Sequence, residues 1–110
     1  MNIILGTGNF NPNYALESKK ILTNSMKNSI IKKAIDEGVN IIDTGPDYGN
    51  AEKLLGNNIS KKLKIITRFD KFYKNKRITS DSIIRNVEKS QKKLKKKNIE
   101  AILIHDLSDL

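Results

Sequence analysis

The sequence contains no cysteine and no long apolar segment, and these two absences exclude several classes of protein. Without cysteine there can be no disulfide bond and no thiolate chemistry, and a reducing, cytoplasmic setting is the default expectation. No apolar run approaches the roughly 20 residues that a membrane-spanning helix needs. Residues 1–10 also lack the basic start and the long apolar stretch of a secretory signal. Since 37% of the 110 residues are hydrophobic and 30% are charged, the composition is typical of one small folded domain.

The excess positive charge lies in one segment of the chain. Residues 71–98 hold nine Lys and two Arg against one Asp and one Glu, which accounts for the whole formal net charge of +9. Such a basic segment is one signature of nucleic-acid binding. The whole sequence is nevertheless rich in Lys, Ile and Asn, which indicates an AT-rich coding bias, and many of these basic residues fall on the outer side of a predicted helix. We therefore predict no nucleic-acid partner, and the absence of an apolar span predicts no membrane partner.

Four short apolar runs predict strands. They lie at residues 3–5, 41–42, 65–66 and 101–104. Each run is continuous rather than alternating in polarity, which is typical of strands that are buried on both faces of a parallel sheet.

The segments between these runs carry helix signals. Ser25 is a candidate N-cap for a first helix that Gly38 would end, Asn50 is a candidate N-cap for a second, and Ser80 with Asp81 opens a third. Alternating strands and helices predict βαβ units in an α/β fold. Because such crossovers are right-handed, the pattern leaves two solutions, an open doubly wound sheet or part of a barrel.

Polar side chains follow three of the predicted strands. Asp43 comes directly after the second strand with Tyr48 five residues later, Arg68 follows the third, and His105 follows the fourth. The carboxyl ends of parallel strands meet at one edge of the sheet, which is the functional face of such folds. The sequence therefore predicts that a carboxylate, a phenol, a guanidinium and an imidazole converge.

Each of these residues also has a purely structural interpretation. Asp43 can cap the following segment, and Tyr48 can pack as a loop residue beside its glycine neighbour. Arg68 can form an ion pair with Asp43 or Asp70, and a single histidine often has no catalytic role.

A series of motifs resembles the aldo-keto reductase family, in order and over nearly the whole chain. The motifs are Gly-Thr-Gly-Asn-Phe at 6–10, Gly-Val-Asn-Ile-Ile-Asp-Thr at 38–44, Tyr-Gly-Asn-Ala-Glu at 48–52, Leu-Gly at 55–56, Ile-Ile-Thr-Arg at 65–68 and Leu-Ile-His-Asp at 103–106. Within the family, Leu-Gly-Thr at 5–7 and Leu-Ile-His-Asp at 103–106 are similar to members found with bacterial surface-polysaccharide genes.

The resemblance implies an NADP-dependent oxidoreductase that interconverts carbonyl and alcohol groups, with catalytic Asp, Tyr, Lys and His. Asp43, Tyr48 and His105 occupy three of these positions, and Arg68 stands where the family has Lys. The resemblance also places Gly6 and Thr7, together with Asp43 and Tyr48, at the nicotinamide end of NADPH. No metal site is implied.

The implied fold is the N-terminal half of a TIM-type (β/α)8 barrel, with about four βα units that end after strand 4. Because a whole barrel needs about 250 residues, we expect residues 1–110 to form a single, truncated barrel domain. A second half-barrel or self-association would then complete the sheet, and a small carbonyl or alcohol compound would be the substrate. Because Arg68 replaces Lys, a non-catalytic regulatory or interaction subunit with the same fold is the alternative.

Overall fold

The computed structural model describes residues 3–14, 21–58, 63–69 and 78–104. Its strands and helices alternate as β1 (Ile4–Gly6), α1 (Asn24–Asp36), β2 (Ile41–Asp43), α2 (Ala51–Asn58), β3 (Lys64–Arg68), α3 (Ser80–Leu94) and β4 (Ala101–Leu103). Two short 3-10 turns, Gly8–Phe10 and Pro12–Tyr14, lie between β1 and α1. The predicted order of strands and helices is confirmed.

The four strands form one parallel sheet in the order β1-β2-β3-β4. Gly6 pairs with Asp43, and Asp43 pairs in turn with Ile66 on β3. Arg68 lies two residues beyond Ile66, and it pairs with Leu103 on β4. The carboxyl ends of all four strands therefore lie along one edge of the sheet.

The two faces of the sheet differ in their cover. Ile42 and Ile65 are register partners, and both are fully buried in the core that the sheet forms with the helices. Side chains alternate between faces along a strand, so Asp43 and Arg68 lie on the opposite face. At the sheet edges that face leaves Ile4 and Leu103 48% and 40% exposed. Asp43 and Arg68 thus lie on the face that the described helices do not cover.

The helices pack on the covered face through a continuous apolar core. Its buried members are Phe10, Ile31, Ile42, Ala51, Leu54, Leu55, Leu63, Ile65 and Leu94. The helices α2 and α3 approach each other closely at Gly56, where an added Cβ would lie 2.1 Å from the carbonyl oxygen of Lys93. Nearby, Thr67 on β3 donates a hydrogen bond of 2.8 Å to the buried carboxylate of Glu52 on α2.

Helix ends agree with the sequence predictions at some positions and not at others. Gly38 follows α1 with a φ of +88°, as a helix stop requires. The predicted cap at Ser25 is wrong, because Thr23 is the N-cap and its hydroxyl accepts from the Met26 amide at 3.2 Å. Asn50 lies directly before α2 as predicted, and its carbonyl oxygen accepts from the Leu54 amide at 3.0 Å, while its side chain bonds to Lys27 and Asn24 on α1.

The third helix begins at Ser80 as predicted, and a capping box between Thr79 and Ser82 fixes this start. None of the helices in the described part of the chain is long and apolar enough to cross a membrane.

Candidate active site

Three of the four predicted catalytic residues come together at the carboxyl edge of the sheet. Asp43 is the last residue of β2, and Arg68 is the last residue of β3. Tyr48 lies in the loop that leads from β2 to α2. His105 lies outside the described residues, directly after Ile104 in the sequence.

Asp43 and Arg68 form an ion pair in which each residue makes one contact. The Nη2 atom of Arg68 donates to Oδ2 of Asp43 at 2.7 Å, and the two side chains are 22% and 29% exposed. The Oδ1 atom of Asp43 and the Nε atom of Arg68 are both buried and make no hydrogen bond with the part of the chain that the structure describes. The pairing is therefore not the bidentate fork that Arg and a carboxylate can form. One acceptor and one donor remain available to a ligand.

The ring of Tyr48 lies against the guanidinium of Arg68. The Cζ atom of Arg68 is 5.8 Å from the ring centroid, which is within the range of a cation–π contact. Two glycines border the same ring: an added Cβ would lie 3.9 Å from Cζ of Tyr48 at Gly8 and 3.5 Å from its Cε2 at Gly45. A cation therefore lies beside the phenol, and small residues border its ring.

The loop after β1 fixes the main chain of Asp43. Thr7 is fully buried, and both its amide and its hydroxyl donate to the Asp43 carbonyl oxygen, at 3.0 and 3.1 Å. Gly6 is bordered by open space, because an added Cβ would meet no atom within 4 Å. Thr7 therefore holds the strand end that carries Asp43, and Gly6 leaves the adjacent surface clear.

The loop after β1 also carries residues that sequence reasoning missed. Tyr14 donates from its hydroxyl to Oδ2 of Asp47 at 2.5 Å, and its ring packs edge-on against Tyr48 with centroids 5.5 Å apart. Asn11 donates to the carbonyl oxygen of Asp47 at 2.7 Å. The Asn11-Pro12 pair is a turn signal in the sequence, but it does not identify a partner 33 residues away.

The sequence offers two lysines close to Arg68, and neither is a natural replacement for the family's lysine. Lys64 lies at the opposite end of the strand, where its Nζ is 3.3 Å from Glu100. Lys71 lies outside the described residues. Among the described residues, Arg68 is thus the cation that accompanies Asp43 and Tyr48.

These features fit a ligand with hydroxyl groups at the carboxyl edge of β1 and β2. The buried Oδ1 of Asp43 is an acceptor without a donor, and the surface over Gly6 is open. A buried polar atom of this kind normally has a partner, so a ligand hydroxyl would satisfy it. Together Gly6, Asp43 and Tyr48 can hold one end of a cofactor, and Thr7 acts through Asp43.

Several solved structures share this architecture. A protein of Pseudomonas aeruginosa described as an aldo-keto reductase is 27% identical with a TM-score of 0.71, over 94% of this chain and 41% of its own. An aldo-keto reductase of Bacillus halodurans in its holo form is 15% identical with a TM-score of 0.71, over 94% of this chain and 35% of its own. A third, from Brucella melitensis, is 24% identical with a TM-score of 0.60, over 74% of this chain and 32% of its own.

The chain thus spans about two-fifths of the length of the Pseudomonas protein. The likeness to the other two structures shows the fold alone, which is the N-terminal half of the barrel. A search of curated proteins found no significant match. The family model of the aldo/keto reductases matches residues 2–109, and the chain therefore belongs to the aldo/keto reductase family.

Proposed function

We propose that the protein to which these residues belong is an NADP-dependent oxidoreductase that interconverts carbonyl and alcohol groups. The observation that carries the proposal is the contact of Arg68 with both Asp43 and Tyr48 at the carboxyl ends of two adjacent strands. Family membership supports the reaction class. The unsatisfied Oδ1 of Asp43 supports a bound cofactor with hydroxyl groups.

Each residue of the site has a separate role in the proposed reduction. When bound, NADPH supplies a hydride to the carbonyl carbon, and the oxygen then needs a proton. Tyr48 gives that proton as a general acid. Arg68 stabilises the phenolate that remains, because an opposite charge close to a group favours its ionised form. Asp43 orients Arg68, and Thr7 fixes the strand end that bears Asp43.

His105 is the fourth proposed catalytic residue, and its assignment rests on the sequence alone, since the family resemblance gives it the histidine position. An imidazole at the end of β4 would donate a hydrogen bond to the substrate oxygen and orient it.

The alternative is a regulatory or interaction subunit that binds NADPH without reducing carbonyl compounds. The observation that favours it is Arg68 itself. Arg is planar and keeps its proton, so it cannot pass a proton to Tyr48 as a Lys can. Its pairing with Asp43 would then be purely structural.

For the substrate we propose small carbonyl compounds or the matching alcohols in the cytoplasm. The similarity of residues 5–7 and 103–106 to members found with surface-polysaccharide genes makes hydroxylated aldehydes and ketones the first to test.

A hydride-transfer assay on a completed barrel tests the proposal. In this completed barrel, residues 2–109 replace the matching part of the Pseudomonas aeruginosa protein. With NADPH that carries deuterium at the transferred position, the alcohol product should contain one deuterium by mass spectrometry. Ser29→Ala removes an exposed hydroxyl on α1, and this control variant should transfer deuterium as the parent does. NADPH binding without deuterium transfer to any aldehyde would favour the regulatory alternative and would contradict the catalytic one.

A further inference from the structure

Tyr14 and Tyr48 belong to different loops, and two contacts join them: a hydrogen bond to the neighbouring Asp47 and a contact between the two rings. The hydroxyl of Tyr14 donates to Oδ2 of Asp47 at 2.5 Å, and Asp47 is the residue directly before Tyr48. The rings of the two tyrosines meet edge-on, with an interplanar angle of 73°. Tyr14 is therefore linked to Tyr48 twice, through the side chain of Asp47 next to it in the chain and directly through its ring.

Two further contacts bind the same loops together. Asn11 donates to the carbonyl oxygen of Asp47 at 2.7 Å. Gly49 adopts a φ of +63°, and an added Cβ there would lie 3.2 Å from the carbonyl oxygen of Phe10. These contacts hold the first loop against the second at Asp47 and Gly49, on both sides of Tyr48, so the segment before Tyr14 has a fixed position beside the Tyr48 ring.

We propose that Tyr14 is a positioning residue, which fixes the ring of Tyr48 so that its hydroxyl stays aimed at the reacting oxygen. The inference rests on the proposed carbonyl reduction, and it assigns Tyr14 no direct contact with substrate or cofactor.

The geometry explains why such support is needed. The cation–π contact with Arg68 restrains the Tyr48 ring, but two glycines border it where larger side chains would pack. Because glycine has no side chain, space remains beside the ring in which the Tyr48 side chain can rotate. The edge of Tyr14 restricts that rotation, and the bond to Asp47 restricts Tyr14 itself.

The size of the effect follows from the sensitivity of proton transfer to position. A displacement of about 1 Å can reduce a rate on the order of 100-fold. Tyr14→Phe keeps the ring and loses the hydroxyl that bonds to the carboxylate, so we expect kcat of the completed barrel to fall roughly 3- to 10-fold. The KM for NADPH should not change, because Tyr14 does not contact the cofactor in the proposal.

A matched set of variants separates positioning from general structural damage. Asn13→Ala alters an exposed side chain of the same 3-10 turn and should leave kcat unchanged. Asp47→Asn keeps an oxygen acceptor and should retain more of the kcat than Asp47→Ala. The double variant Tyr14→Phe with Asp47→Ala should lose no more kcat than the worse single variant, because both changes remove the same hydrogen bond between Tyr14 and Asp47. Additive losses, or equal losses of kcat and NADPH affinity, would overturn the proposal.

A second measurement does not depend on activity. In NMR spectra of the 110-residue chain, ring protons of Tyr14 and Tyr48 should show cross-relaxation, and Tyr14→Phe should speed the flipping of the Tyr48 ring. Unchanged ring flipping in that variant would overturn the positioning role even if the enzyme is active. If the completed barrel proves inactive while the ring effect is present, the proposed function fails and the contact between the rings stands.

Discussion

At position 68 a guanidinium stands beside both the carboxylate of Asp43 and the ring of Tyr48. Arg68 supplies the positive charge that Lys supplies in the family site, because its guanidinium lies next to the proposed acid, Tyr48. It differs in shape, since the charge of Arg spreads over a plane whereas Lys carries a compact ammonium group. The substitution thus retains charge and alters geometry.

The first prediction concerns this substitution in the completed barrel. Arg68→Lys should keep or raise the rate of carbonyl reduction, because the ammonium can approach Tyr48 and still pair with Asp43. Steady-state rates over a panel of aldehydes give the measurement. Lys64→Arg, at the opposite end of β3, is the matched control and should change nothing. Loss of activity in Arg68→Lys would show that the site has adapted to the guanidinium.

At this scale the sequence predicted part of the site. Asp43 and Arg68 could be placed because each ends an apolar run, and parallel strands bring such ends together. The contact of Tyr14 with Asp47 could not be predicted, because it depends on a 3-10 turn that directs the phenol to a residue 33 positions away. No periodic pattern encodes such a contact.

Among the elements, the strands and helices followed from the sequence better than their ends did. Continuous apolar runs located all four strands of the described sheet, since strands of parallel sheets are typically apolar on both faces. The cap of α1 was misplaced because Thr23 and Ser25 have the same capping chemistry, and only the main-chain path decides between them. Asn50 stands at the start of α2 as predicted, but its side chain bonds to Lys27 and Asn24 on α1, which a local capping rule does not indicate.

The packing of α2 against α3 yields the second prediction. Within a helix, Gly→Ala normally stabilises by about 1 kcal/mol. At Gly56 the added methyl would meet the Lys93 carbonyl at 2.1 Å, and overpacking of this kind costs about 1–3 kcal/mol. Gly56→Ala should therefore lower the free energy of unfolding, measured by urea denaturation. Lys53→Ala, at an exposed position of α2, should not; a more stable Gly56→Ala variant would contradict the close approach.

The third prediction concerns the link between α2 and β3. Glu52 is 3% exposed, and its Oε1 accepts from the Thr67 hydroxyl while its Oε2 is 4.0 Å from Lys93. Glu52→Ala leaves that buried hydroxyl without an acceptor and should destabilise the fold by about 1–3 kcal/mol. Glu52→Gln keeps the acceptor and removes a buried charge, so it should be clearly milder. Equal urea midpoints for the two variants would show that the hydrogen bond contributes nothing.

At the scale of the whole molecule, the described sheet has two open edges, β1 and β4. Its uncovered face leaves Ile4 and Leu103 exposed beside those edges. Exposed edge strands of this kind favour pairing with another chain. The fourth prediction is therefore that the 110-residue chain self-associates, as measured by light scattering against concentration. A stable monomer at all concentrations would contradict it.

The same chain should show no measurable binding of NADPH in a fluorescence titration. By family resemblance most cofactor contacts lie in later strands and loops, and the resemblance places Gly6, Thr7, Asp43 and Tyr48 at the nicotinamide end alone. Tight binding would instead indicate that two copies assemble into one complete site.

Replacement of Tyr48 by Phe in the completed barrel tests the central claim most directly. The variant keeps the ring between Arg68 and Tyr14 and removes only the hydroxyl that we propose as the acid. Since general acid catalysis contributes about 10²- to 10⁴-fold, Tyr48→Phe should lose nearly all NADPH-dependent aldehyde reduction while NADPH binding persists. Ser29→Ala should retain the activity of the parent. Full activity in Tyr48→Phe would contradict the assignment of Tyr48, and with it the proposed site.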